Sequence, residues 1–154
     1  FQYSSALESV DWRVLIAIAS ALGLGSALQY TGAAEYLATN MLAFAGENPT
    51  MALLMTYLVT WLLTEMITNN AAAVLVFPIA LSLAESLGFN FIPFAMVMII
   101  AASSSFSSPI GYQTNLMVYG PGGYKFSDFI KIGLPLNLIV AVIAVSLIPY
   151  FWNL

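Results

Sequence analysis

The 154-residue chain is 61% hydrophobic and 6% charged, with a net charge of −4, against roughly 25% charged residues in a soluble domain. That composition, with a mean hydropathy of +0.93, marks an integral, multi-pass membrane protein. The absence of cysteine and histidine excludes disulfides, thiolate or imidazole metal sites and imidazole catalysis, and three basic residues exclude a nucleic-acid partner.

Phe1 to Val10 shows no basic, apolar and small-residue succession of a signal peptide. The chain opens on Phe1 like a polar connector, which suggests one half of a larger polypeptide. Residues 11–29 form the first expected transmembrane helix, with Gly23 and Gly25 among small residues that permit close helix packing. Tyr30-Thr31-Gly32 ends it. Residues 33–45 are short and mixed, as suits an interfacial helix, because a span needs about 20 mostly apolar residues. Gly46-Glu47-Asn48-Pro49 is a turn.

Residues 50–87 as one helix would measure about 57 Å, far beyond a hydrocarbon core of about 30 Å. A fold-back at Thr68-Asn69-Asn70 turns them into a re-entrant helical hairpin with its tip at 68–70; two ordinary spans fit the same length. Gly88-Phe89-Asn90 is a second turn. Residues 91–119 form a broken transmembrane helix, apolar from Phe91 to Phe106, broken at Pro109 and Gly111 and resumed at about Asn115 to Tyr119. Gly120-Pro121-Gly122-Gly123 is a loop. Ser127-Asp128 offers an N-cap for a last transmembrane helix over 128–152, with Pro135 and Pro149 as expected kinks. With one crossing by 11–29 and one by 91–119, Arg13, Lys125 and Lys131 share one face, which the positive-inside rule makes cytoplasmic.

Two polar interruptions lie within this apolar chain. In hydrocarbon an unpaired polar group costs several kcal/mol, so broken helices persist only against protein or a wet cavity, and transporters place substrates and ions there. At Thr68-Asn69-Asn70 a helix end with free carbonyls meets a helix start with free N–H groups, which suits a cation and an anion respectively. Ordinary capping at the water interface is the structural alternative. Pro109-Ile110-Gly111 frees further carbonyls, and Gln113, Thr114 and Asn115 add amides and a hydroxyl; a kink whose polar groups satisfy one another is its alternative. Glu65, an ionisable group in an apolar segment, is a candidate proton carrier or cation ligand, or a carboxylate that braces the hairpin. Ser103 to Ser108 is read as close helix packing.

The stretches Leu63-Thr64-Glu65-Met66-Ile67-Thr68-Asn69-Asn70 and Pro109-Ile110-Gly111-Tyr112-Gln113-Thr114-Asn115, followed by Val118-Tyr119-Gly120-Pro121-Gly122-Gly123-Tyr124, resemble the divalent anion:sodium symporters of the ion-transporter superfamily. Members with TrkA-C domains between their halves resemble it most, and the chain would be their C-terminal repeat. The resemblance implies an all-α membrane protein, half of an inverted-repeat transporter that works as a homodimer by an elevator motion. It implies a sodium site at Thr64, the Ile67 backbone, Asn69 and the Gly111 backbone. It implies anion binding at Thr68, Asn69 and Asn70, faced by Tyr112 and Gln113. Asn70 stands where the family has Thr, and Tyr112-Gln113-Thr114 where it has Thr-Pro-Pro, which leaves dicarboxylate and sulfate both open.

The expected function is therefore sodium-coupled symport of a small divalent anion, with an N-terminal repeat, a second copy of the chain and membrane lipid as partners, and no enzymatic activity. A proton-coupled exchanger or oxyanion carrier using Glu65, and a channel or packing subunit with simple kinks, are the rival expectations.

Overall fold

In the computed structural model the described residues are 30–46 and 48–152, together with positions 16, 19, 20, 23, 24, 26 and 27. These isolated positions are helical; Arg13 and the ends of the helix expected over 11–29 lie outside the described residues. Six complete helices follow. They are α1 (Ala33–Ala45), α2 (Pro49–Thr64), α3 (Asn69–Leu87), α4 (Phe91–Ser103), α5 (Gln113–Tyr119) and α6 (Phe126–Trp152). Among the described residues all regular structure is helical, and α3 and α6 are long and apolar enough to cross a membrane.

Asparagine and threonine decide where the helices begin, because their side-chain oxygens satisfy N–H groups that have no partner within the helix. Asn48 Oδ1 accepts from the N–H groups of Thr50 and Met51 at 3.0 and 3.3 Å, with Pro49 at the first helical position. Thr68 caps α3 through Ala71 N at 3.4 Å, and Asn90 caps α4 through Ile92 N at 2.9 Å. The turn between α2 and α3 is consequently Glu65–Thr68, and Asn69 and Asn70 are the first residues of α3. The expected fold-back lies a few residues earlier than the adjacent amides suggest, because Thr68 closes it as a cap.

Two other boundaries differ from expectation. α4 stops at Ser103, three residues before Phe106, because Ser104 leaves helical geometry at φ −96° and ψ 53° and the next serines bond to other segments. α6 starts at Phe126, ahead of Ser127-Asp128. Asp128 Oδ2 accepts from Lys125 N at 2.9 Å, the half of a capping box in which an acidic side chain reaches back over the helix start.

α4 packs against α2, α3 and α6, and α1 covers α2 and α3. Leu53 and Tyr57 of α2, Val76 and Leu83 of α3, and Phe94 and Val97 of α4 are fully buried. Small side chains let the helices approach: Ala52, Ala72, Ala80, Ala84 and Ala101 are likewise fully buried. Close packing of this kind holds helices together where lipid removes the hydrophobic contrast. α6 gives Ala141, Ala144, Val145 and Ile148 to the core and turns Ile132, Ile139, Val142 and Ile143 outward. α5 buries none of its residues.

Candidate functional site

Along α2, Thr56, Thr60 and Thr64 recur every four residues on one buried face. The first two hydroxyls bond back to the carbonyls one turn earlier, Thr56 Oγ1 to Ala52 O at 2.9 Å and Thr60 Oγ1 to Thr56 O at 2.7 Å. This is the local alternative open to threonine within a helix. Thr64, at the helix end, instead donates across to Ala102 O of α4 at 2.7 Å. The change of partner carries the end of α2 onto the end of α4.

The Asn69 side chain enters the same junction. One end of its amide lies 2.9 Å from Thr64 Oγ1, 3.1 Å from Ala102 O and 3.2 Å from Gly111 O. Hydrogen bonding favours the nitrogen facing these three oxygens, since Thr64 already donates to Ala102 and the two carbonyls can only accept. With the amide turned over, Oδ1 joins them as a fourth oxygen. Three of the four residues expected at the cation site, Thr64, Asn69 and Gly111, therefore meet here. The fourth, Ile67, lies in the adjoining turn with its N–H on Leu63 O at 2.9 Å.

Gly111 reaches this position because it lacks a side chain. A Cβ there would collide with Ser105 Oγ and Thr64 O and come within 3.2 Å of Glu65 Cα. Its N–H donates to Ser108 Oγ at 3.1 Å, and Ser108 Oγ donates to Glu65 O at 2.8 Å. Ser105 Oγ lies 3.2 Å from Thr64 O and 3.3 Å from Glu65 Oε2. The serines expected to mark helix packing thus hold the second break to the first.

The expected anion residues divide into two sets. Thr68, Asn70, Tyr112, Gln113 and Thr114 are exposed, Thr68 with its oxygen on the α3 start and Tyr112 at the start of α5. Asn115 is half-buried, and its amide donates to Ser105 O at 3.0 Å and Ser108 O at 3.1 Å. Those two bonds close the break on itself, leaving Oδ1 as its remaining polar atom.

Glu65 accepts from Trp61 Nε1, Ser107 N and Asn137 Nδ2, each at 3.0 Å on Oε1. Asn137 was not singled out from the sequence. It is 1% exposed on α6, and its Nδ2 also donates to Ser107 Oγ at 2.8 Å. One turn before it, Gly133 lies so close to the break that a Cβ would collide with the Phe106 carbonyl and meet Ser107 Cα at 2.7 Å. A lone amide and a glycine one turn apart in the otherwise apolar stretch 132–145 are the signal that marks this contact.

Helices broken twice about facing oxygens and amides, in a chain this apolar, match the pattern expected above of a membrane transporter. The chain belongs to the citrate transporter family, whose profile matches residues 1–154, within the ion-transporter superfamily. The family is one of transporters. An uncharacterized transporter of Synechocystis is 47% identical over 135 residues, covering 87% of this chain and 22% of that protein. An uncharacterized transporter of Escherichia coli is 38% identical over 146 residues, 94% of this chain and 24% of the relative. Sodium/sulfate cotransporter 1 of Chlamydomonas reinhardtii is 34% identical over 145 residues, 93% of this chain and 16% of the relative. The chain thus spans about a quarter or less of the length of these relatives.

Proposed function

We propose that this chain forms one of the two transmembrane repeats of a sodium-coupled symporter for a small divalent anion, with sulfate the leading candidate. The observation that carries the proposal is the meeting of Thr64 Oγ1, Ala102 O and Gly111 O around the Asn69 amide. Uncharged hydroxyl, carbonyl and amide oxygens are hard donors suited to an alkali cation. The relative named a sodium/sulfate cotransporter supports both the ion and the anion.

In this mechanism sodium binds among Thr64, the Ile67 and Gly111 backbones and Asn69, whose amide turns its oxygen inward. The N-terminal turn of α3, with Thr68, Asn69 and Asn70, then receives the anion, since helix starts present N–H groups and positive potential. Tyr112, Gln113, Thr114 and the Asn115 oxygen face it across the second break. The bound cation offsets the anion's charge, which no basic side chain does among the described residues of either break. Residues 49–87 act as a re-entrant hairpin, and 91–119 as a broken transmembrane helix. An N-terminal repeat of opposite orientation completes the site, and the full protein works in the membrane as a homodimer.

The test is uptake of radiolabelled sulfate by the full-length protein in proteoliposomes, with sodium replaced by choline. Loss of uptake in choline is the expected result. Uptake that ignores sodium and follows a pH gradient would overturn the proposal in favour of proton coupling.

A further inference from the structure

Glu65 is held by donors from three separate places. Trp61 Nε1 comes from its own helix, Ser107 N from the second break and Asn137 Nδ2 from α6, all at 3.0 Å on Oε1, while Ser105 Oγ reaches Oε2 at 3.3 Å. The first three are N–H groups with no capacity to accept, so each needs an acceptor at this point. Among the described residues the one ion pair joins Lys131 to Asp128 at 4.0 Å on exposed α6; Glu65 takes no part in it. Its partners are dipoles, and they converge from α2, the second break and α6.

From Glu65 the bonds lead through two serines to the main chain of Thr64 and Gly111, two residues of the cation site. Ser105 touches both Glu65 Oε2 and Thr64 O; Ser108 Oγ accepts from Gly111 N and donates to Glu65 O. The main chain of Thr64 and Gly111 is therefore set by the same serine segment that Glu65 and Asn137 hold. We propose that Glu65 is a positioning residue, not a proton carrier: as a fixed acceptor anchored to α6 by Asn137, it sets the spacing of the oxygens that receive sodium. The proposal rests on the sodium assignment made above.

Charge and hydrogen bonding separate cleanly at this position. In Glu65→Gln the amide oxygen can keep the three N–H donors, and the new NH2 can donate to Ser105 Oγ, which retains its bond to Thr64 O. Glu65→Ala abandons all of them, and Asn137→Ala removes the anchor without touching Glu65. The experiment titrates the full-length protein with sodium alone, reading its melting temperature in detergent, and follows sulfate uptake against sodium across the neutral pH range.

Glu65→Gln is expected to keep the sodium half-saturation within about threefold of the wild type, with the same pH profile; Asn137→Ala and Glu65→Ala are expected to raise it about tenfold or more, the scale of one lost charge-assisted hydrogen bond. Tyr57, whose hydroxyl lies 3.5 Å from Asn137 O, is the other titratable group at this junction and is unchanged in all three variants. A pH profile that flattens in Glu65→Gln would overturn the proposal, as would a folded Asn137→Ala with unchanged half-saturation. Where Glu65→Ala fails to fold, Asn137→Ala decides. A wild type indifferent to sodium removes the symport assignment itself, whereas a sodium-responsive wild type matched by Asn137→Ala removes only the role given to Glu65.

Discussion

Gly111 shows how one missing side chain can define a site. Its carbonyl stands 3.2 Å from the Asn69 amide because the backbone lies directly against Ser105 and Thr64. Thr64 O and Glu65 Cα are backbone atoms and cannot swing aside, so Gly111→Ala must move the break. We expect a loss of about 1 to 3 kcal/mol in stability, the usual cost of overpacking, and a weaker sodium response. Both are read from melting curves with and without sodium. A variant with wild-type melting and sodium response would show that the close approach is not needed. In the sequence, Asn69 and Gly111 were legible as parts of polar breaks. Ala102 was not, because a carbonyl contributes through its backbone position and leaves no mark in residue type.

At the scale of the element, boundaries set by local chemistry read more directly than those set by distant contacts. Asn48, Thr68 and Asn90 are caps whose chemistry is local, and each is followed by a helix. Asn48→Ala leaves the N–H groups of Thr50 and Met51 without their acceptor and is expected to cost about 1 kcal/mol, measured by thermal unfolding in detergent; an unchanged melting temperature would show that water replaces the cap fully. The end of α4 is different. Ser103 to Ser108 has no strong helix breaker before Pro109, and the helix stops early because Ser105 and Ser107 find partners, Thr64 at the end of α2 and Glu65 in the turn after it, that are distant in sequence. Asn137 escaped notice for the same reason, since its value lies in reaching Glu65, 72 positions away.

For the whole molecule, composition alone conveyed the membrane class, while the arrangement of the helices depended on contacts that periodicity does not encode. The proposed topology, with the α2–α3 hairpin returning to the face it left and α4–α5 crossing to the other, puts Glu85 and Lys125 on opposite sides. Because the chain has no native cysteine, Glu85→Cys and Lys125→Cys can each be labelled alone in the full-length protein, provided its remaining cysteines are removed. A membrane-impermeant thiol reagent is expected to reach them from opposite faces of sealed vesicles; labelling of both from one face would contradict this topology.

The serine segment that joins the two breaks also constrains how the molecule can come apart. Thr64 and Glu65 receive bonds from Ser105, Ser107 and Ser108, and Thr64 returns one to Ala102. Neither break can loosen without stripping partners from the other, so the two open together as one cooperative unit. The proposed seat for ions, divided between two helix interruptions, is on this account a single cradle that comes apart whole and cannot be half unlatched.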